Sequence, residues 1–159
     1  MKKAVKLLAL LLSFVVFLSI SLVKAEPKTV KVELTLYNSV PTVNGNNALP
    51  LEHYPFIEKG RMMLPIRIYS EIFEINIDWE TTTKTLTFTS TKNTLVMTVD
   101  SQIAYINGKE VFVDVPVYVP KKLARTFAPV RFIMETFEAT VTWDPDLHKA
   151  TIVYELPEE

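Results

Sequence analysis

The residues of this chain whose types and spacing could do chemistry are arginines and glutamates that occur twice. Residues 61–79 read RMMLPIRIYSEIFEINIDW and residues 125–143 read RTFAPVRFIMETFEATVTW. A shift of 64 positions superposes Arg61 on Arg125, Pro65 on Pro129, Arg67 on Arg131, Glu71 on Glu135 and Trp79 on Trp143. Arg67 and Glu71 are four residues apart, as are Arg131 and Glu135, so on a helix their side chains can meet. Two chemistries fit. One is a site for an anion or carboxylate; the other is a structural ion pair whose guanidinium fork ties the helix to the preceding strand and to hairpin carbonyls. The pairs border an apolar stripe and recur at core-like positions in both copies, which favours the structural role and partial burial. Arg61 and Arg125 precede the short strand, either as further partners of the acids or as solvated charges.

Other constellations are sparse. His53 lies in a proline-bounded loop and His148 in a turn; neither has a counterpart in the other copy, nor a second histidine or carboxylate at metal-ligand spacing. With three glycines in the chain, there is no loop to cradle phosphates, and no nucleophile elbow or zinc-type cluster occurs. These observations point away from an enzyme, a metal or a cofactor. A hydrolase built on the loop around His53 is the remaining enzymatic option. Trp79 and Trp143 each close an inward alternation of apolar residues and are expected as core anchors, with sugar platforms as the alternative. Tyr54, Tyr105 and Tyr118, around irregular loops, are the candidate surface for a carbohydrate.

The elements that must position these residues follow from periodicity. Val30, Val32, Leu34 and Leu36 alternate with polar residues, the pattern of a half-buried strand, and Asn44-Gly45 signals a tight turn. Pro50 and Pro55 bracket an irregular stretch, and Met62 to Leu64 forms a short strand. Pro65 is expected to open a helix of two to three turns with an apolar stripe of Ile68, Tyr69, Ile72 and Phe73. Ile75, Ile77 and Trp79 then alternate, the run from Glu80 to Lys84 turns the chain, and Leu86 and Phe88 complete a hairpin. The second copy repeats the order, with an Asn107-Gly108 hairpin, a helix opened by Pro129 and a turn at Asp144-Pro145-Asp146. The class expected is α+β: two repeated units, about residues 30–92 and 93–155, each of mainly antiparallel strands and hairpins packed around one short helix. No flexible linker separates the copies, so two interlocked halves with a continuous or shared sheet are expected.

The ends and the charge bound the setting. Lys2, Lys3 and Lys6 precede the apolar run from Leu7 to Val23, and Val23-Lys24-Ala25 offers a cleavage point. Residues 1–25 thus read as a signal peptide cut before Glu26, the alternative being a retained anchor. Without them the chain has 13 basic and 18 acidic side chains, a formal charge of −5. That balance offers nothing to nucleic acid or, after cleavage, to an anionic membrane. There is no cysteine, so no disulfide stabilises the chain and burial must do so.

Val43-Asn44-Gly45, Gly60 to Glu71, Trp79 and Thr85 to Phe88 together, with Ile106-Asn107-Gly108, Arg125 to Glu135, Trp143-Asp144 and Ala150 to Val153, resemble the copper amine oxidase N-terminal-like domain. The resemblance covers about residues 30–155 in two motif copies, with residues 26–159 as the domain. It implies a stalk-type domain that does no chemistry, since the copper, its histidines and the quinone belong to a separate catalytic domain that nothing here matches. The chain departs from the family where a glycine usually follows the helix, having Glu74 and Glu138, and where Ala124 replaces a turn glycine. The resulting expectation is an exported, non-catalytic binding or structural module of the bacterial cell envelope, secreted or in the periplasm or on the outer surface. The alternative is a binder of carbohydrate or cell-wall polymer through loop aromatics. The partner would be an envelope protein, a wall polymer or a second copy of the chain.

Overall fold

The computed structural model describes residues 28–156; the segment read as a signal peptide and residues 157–159 lie outside them. Among the described residues thirteen strands and two short helices follow one another: β1 (Thr29–Thr35), β2 (Thr42–Val43), β3 (Asn46–Asn47), β4 (Phe56–Glu58), β5 (Arg61–Pro65), α1 (Arg67–Glu71), β6 (Asn76–Glu80), β7 (Thr85–Thr89), β8 (Thr94–Thr98), β9 (Ile103–Ile106), β10 (Lys109–Phe112), β11 (Phe127–Pro129), α2 (Val130–Thr136), β12 (Thr140–Asp144) and β13 (Lys149–Glu155). They form three antiparallel sheets, in the orders β12-β13-β1-β2-β3, β10-β9-β8-β7-β6 and β11-β5-β4.

This corrects the expected α+β class: the protein is mainly β. The helices span only five and seven residues, and the units are not built around them. The apolar stripe at Ile68, Tyr69, Ile72 and Phe73 was read as two to three helical turns. The regular helix stops at Glu71, because Glu74 takes a left-handed conformation (φ 55°) and reverses the chain into β6. Glu138 does the same after α2 (φ 66°), with the Ala139 N–H closing onto the Met134 carbonyl at 2.9 Å. Nor does Pro65 open α1. It ends β5 opposite Phe127, and Pro129 pairs with Met63 before serving as the extended N-cap of α2.

The symmetry of the molecule is set by one strand pair. β5 and β11 run antiparallel with Leu64 opposite Ala128, its own equivalent one repeat later. An antiparallel pair in which equivalent residues face each other places a pseudo-two-fold axis between them. Each copy's opening strand pairs with the closing hairpin of the other copy. β1 of the first copy pairs with β13 of the second, Thr29 opposite Glu155, while β8 pairs with β7, Thr89 opposite Thr94. Both five-stranded sheets are therefore mixtures of the two copies.

The copies keep the same local devices. Asn44-Gly45 and Asn107-Gly108 have φ values of 51°/81° and 50°/79°, the conformation of a primed hairpin turn. Each asparagine ties its turn to the neighbouring strand, β1 or β8: Oδ1 accepts the N–H of Lys31 (2.8 Å) or Thr94 (2.9 Å), and its own N–H donates back to that residue's carbonyl.

One core fills the space between the two larger sheets. An aromatic chain runs through it from Phe88 on β7 to Tyr69 and Phe73 and on to Tyr154 on β13, with ring centroids 5.9–6.4 Å apart. Tyr69 is fully buried and its phenol is held across the pseudo-axis by the Ala128 carbonyl at 3.2 Å; burial pushes its pKa far up. A smaller cluster of Met63, Val115 and Phe127, with Phe56, Tyr118 and Leu123 against it, lies separate from the main core.

The outer face of the β12–β3 sheet carries a charge cluster. Glu33 accepts from Lys149 (3.1 Å) and Thr42 (3.0 Å) and sits 3.3 Å from Lys31. These contacts, the Lys149 hydrogen bond foremost, depress its carboxyl from 4.5 to about 2. A group depressed on folding stabilises fully above its unfolded value and loses that contribution as pH falls through its folded value. Glu33→Gln should therefore lower the urea midpoint at pH 7, with the deficit shrinking below about pH 4.5 and vanishing near pH 2. A deficit independent of pH would refute this account. Glu74→Gly should raise stability by about 1 kcal/mol, since the left-handed region costs glycine nothing; an unchanged or lower midpoint would show that the turn is unstrained.

Candidate functional site

Pro65, Arg67, Glu71 and Arg125 come together. They line a groove of about 820 Å³ with Glu52, between α1, the loop at 48–52 and the strand leading into β11. Its aliphatic lining includes Val43, Leu49, Leu51, Ile66, Ile68 and Ile72, and no lining side chain among the described residues is aromatic.

Two ion pairs cross between the copies at equivalent places. Arg125 holds Glu52 with a fork, Nε–Oε2 2.9 Å and Nη2–Oε1 2.6 Å. Arg61 holds Asp114 through Nε at 2.7 Å. Neither acid is legible in the sequence, because each sits in an irregular loop more than fifty residues from its arginine. The shift of 64 that matches Arg61 with Arg125 places Glu52 on Pro116 and Asp114 on Pro50, so the repeat does not align them. Arg125, through its hydrogen bond, is the main cause of Glu52's lowered pKa, and Arg67 and the adjoining His53 lower it further. The Arg61 pairing likewise depresses Asp114.

The helical pairs behave differently in the two copies. Arg131 Nη1 meets Glu135 Oε1 at 3.1 Å, a solvent-exposed contact and not a partly buried one. Arg67 and Glu71, their equivalents, make no ion pair or side-chain hydrogen bond among the described residues, and both open onto the groove.

The corresponding loops of the two copies differ in length. The chain from Gly45 to Glu52 is one residue longer than that from Gly108 to Asp114, and it contains Pro50. Both stay tied to the preceding strand: the Ala48 N–H donates to the Pro41 carbonyl (2.9 Å) and the Leu51 N–H to the Ser39 carbonyl (2.7 Å), as the Val113 N–H does to the Gln102 carbonyl (2.8 Å). Residues 48–52 line the groove.

The tryptophans are not core anchors, a second correction. Trp79 is 44% exposed and Trp143 38%. Their alternation was read properly, since each sits opposite a buried residue, Leu86 or Ala150. But β6 and β12 are the outermost strands of their sheets, where nothing covers a ring on both sides. The three tyrosines lie on different parts of the chain. Tyr54 is half exposed and packs edge-on against Tyr37 at 5.8 Å. Tyr105 lies on β9, and Tyr118 is partly covered against the Phe127 cluster. The ring of His53 rests near Phe127, 5.9 Å between centroids, away from the groove lining, and His148 holds a left-handed turn position (φ 49°). Among the described residues no group of three His, Cys, Asp or Glu could hold a metal, and no helix is long and apolar enough to cross a membrane.

With this geometry in view, the comparison with known families has a clear result. The family described as copper amine oxidase N-terminal domain matches residues 21–87 and again residues 42–152. The chain belongs to that family, whose domain is the non-catalytic N-terminal part of those oxidases. No curated protein matches it.

The exposure of the indoles makes a measurable difference. Acrylamide should quench the fluorescence of both Trp79→Phe and Trp143→Phe variants, and Trp79→Ala should cost much less stability than Leu64→Ala, which removes about 2–5 kcal/mol. Equal losses, or an unquenched indole, would return the tryptophans to the core.

Proposed function

We propose that this chain is an exported, non-catalytic module of the bacterial cell envelope that works by holding a partner. The observation that carries the reading is the groove bounded by Arg67, Glu71 and the Arg125–Glu52 pair, a concave and largely aliphatic surface built on the strands that join the two copies. Membership of a non-catalytic domain family and the signal-like residues 1–25 support it. Of the two carboxylates in the groove, that of Glu52 has both oxygens engaged by the Arg125 fork.

A second reading, adhesion to wall carbohydrate, draws on the exposed Tyr37 and Tyr54 rings beside the loop. It places a ligand on a different face and needs only ring stacking.

Expression of the full chain with a C-terminal tag, followed by cell fractionation, tests the proposal. The tagged protein is expected outside the cytoplasmic membrane with Glu26 as its first residue. Recovery from the cytosol with Met1 intact would overturn export. Pelleting of the exported protein with purified sacculi, lost in a Tyr37→Ala, Tyr54→Ala variant, would transfer the function to the carbohydrate reading.

A further inference from the structure

The pseudo-symmetry provides an internal comparison that the sequence repeat alone does not. Both copies possess the same Arg and Glu one turn apart on the helix, yet only in the second do they satisfy each other, at 3.1 Å. In the first copy the helix borders a groove of about 820 Å³, and Arg67 and Glu71 face it without partners among the described residues. A groove of that size accepts a ligand of short-peptide dimensions.

We propose that this groove binds an extended aliphatic peptide segment that brings one carboxylate to Arg67 and one ammonium group to Glu71. This inference rests on the reading of the chain as a partner-binding module and names the chemistry of the partner. Three features select a peptide. The lining is aliphatic, which rewards leucine-like side chains through burial. Its unpaired charges are one of each sign, so the complementary ligand carries both and is neutral across the site. And no ring lines it, whereas sugar recognition draws on aromatic faces for stacking. The Arg125–Glu52 fork closes one wall and contributes no net charge.

The test is fluorescence anisotropy with the exported protein and three labelled peptides of about six residues, the length scale set by the groove. One is aliphatic with a single lysine and a single glutamate, one is its counterpart with both charges replaced by glutamine, and one keeps the charges but replaces the aliphatic residues by serine. Saturable binding is expected for the first, with the other two weaker. Arg67→Ala should weaken it about tenfold, the scale of a lost charge-assisted hydrogen bond, and Arg131→Ala should leave it unchanged. Arg67 is exposed, and circular dichroism of both variants checks that they fold. Equal affinity for all three peptides, no binding, or equal effects of Arg67→Ala and Arg131→Ala would overturn the proposal. So would displacement of the first peptide by a chitin oligosaccharide, which would make the groove a sugar site. If the peptides fail while the tagged protein still fractionates to the envelope, the groove assignment falls and the module reading stands.

Discussion

Everything in this molecule hangs from the pairing of β5 with β11 about Leu64 and Ala128. An antiparallel register fixes which residues face each other, and here it sets each copy against itself. Once that register holds, β1 has no closing hairpin of its own copy to pair with and takes β13 instead, while β8 takes β7. The phenol of Tyr69 adds a bond from the first copy's helix to the second copy's strand. A unit cut at residue 92 would leave the inner faces of β1 and β7 without half of their sheet, so the copies contribute to one cooperative core.

The same exchange produces the paired surface features. Arg61 and Arg125 reach acids in the opposite copy because their strands adjoin across the axis. Exposed pairs of this kind add little to stability. Their importance is positional: they tie the irregular loops at 48–56 and 113–124, which lack strand partners for much of their length, to the central strands. A duplicated scaffold thus carries the same cross-copy arginine pairs twice, with a groove of about 820 Å³ beside α1.

Strain is distributed in the same symmetric way. Glu74 and Glu138 hold left-handed conformations that a glycine would take freely, as do Lys84 and His148 at the matching hairpin turns. The helices end where these residues reverse the chain, which is why a clear apolar stripe produced less than two turns of helix.

Much was legible from the chain alone. Alternation located nearly every strand, Asn-Gly located two hairpins, and the shift of 64 residues defined the repeat and the family. Local preference and periodicity suffice for such features, because they depend on neighbours within a few residues. The sheet order, the pseudo-axis and the partners of Arg61 and Arg125 depend on which strands meet over more than fifty residues, and no local pattern encodes that. The exposure of Trp79 and Trp143 followed from strand position: alternation reveals which side of a sheet a residue faces, but only the sheet order tells whether its strand is at the edge. The open Arg67 and Glu71 belong to the same class. Their sequence spacing matches that of Arg131 and Glu135, and only the folded structure sets one pair in contact and leaves the other open to a groove.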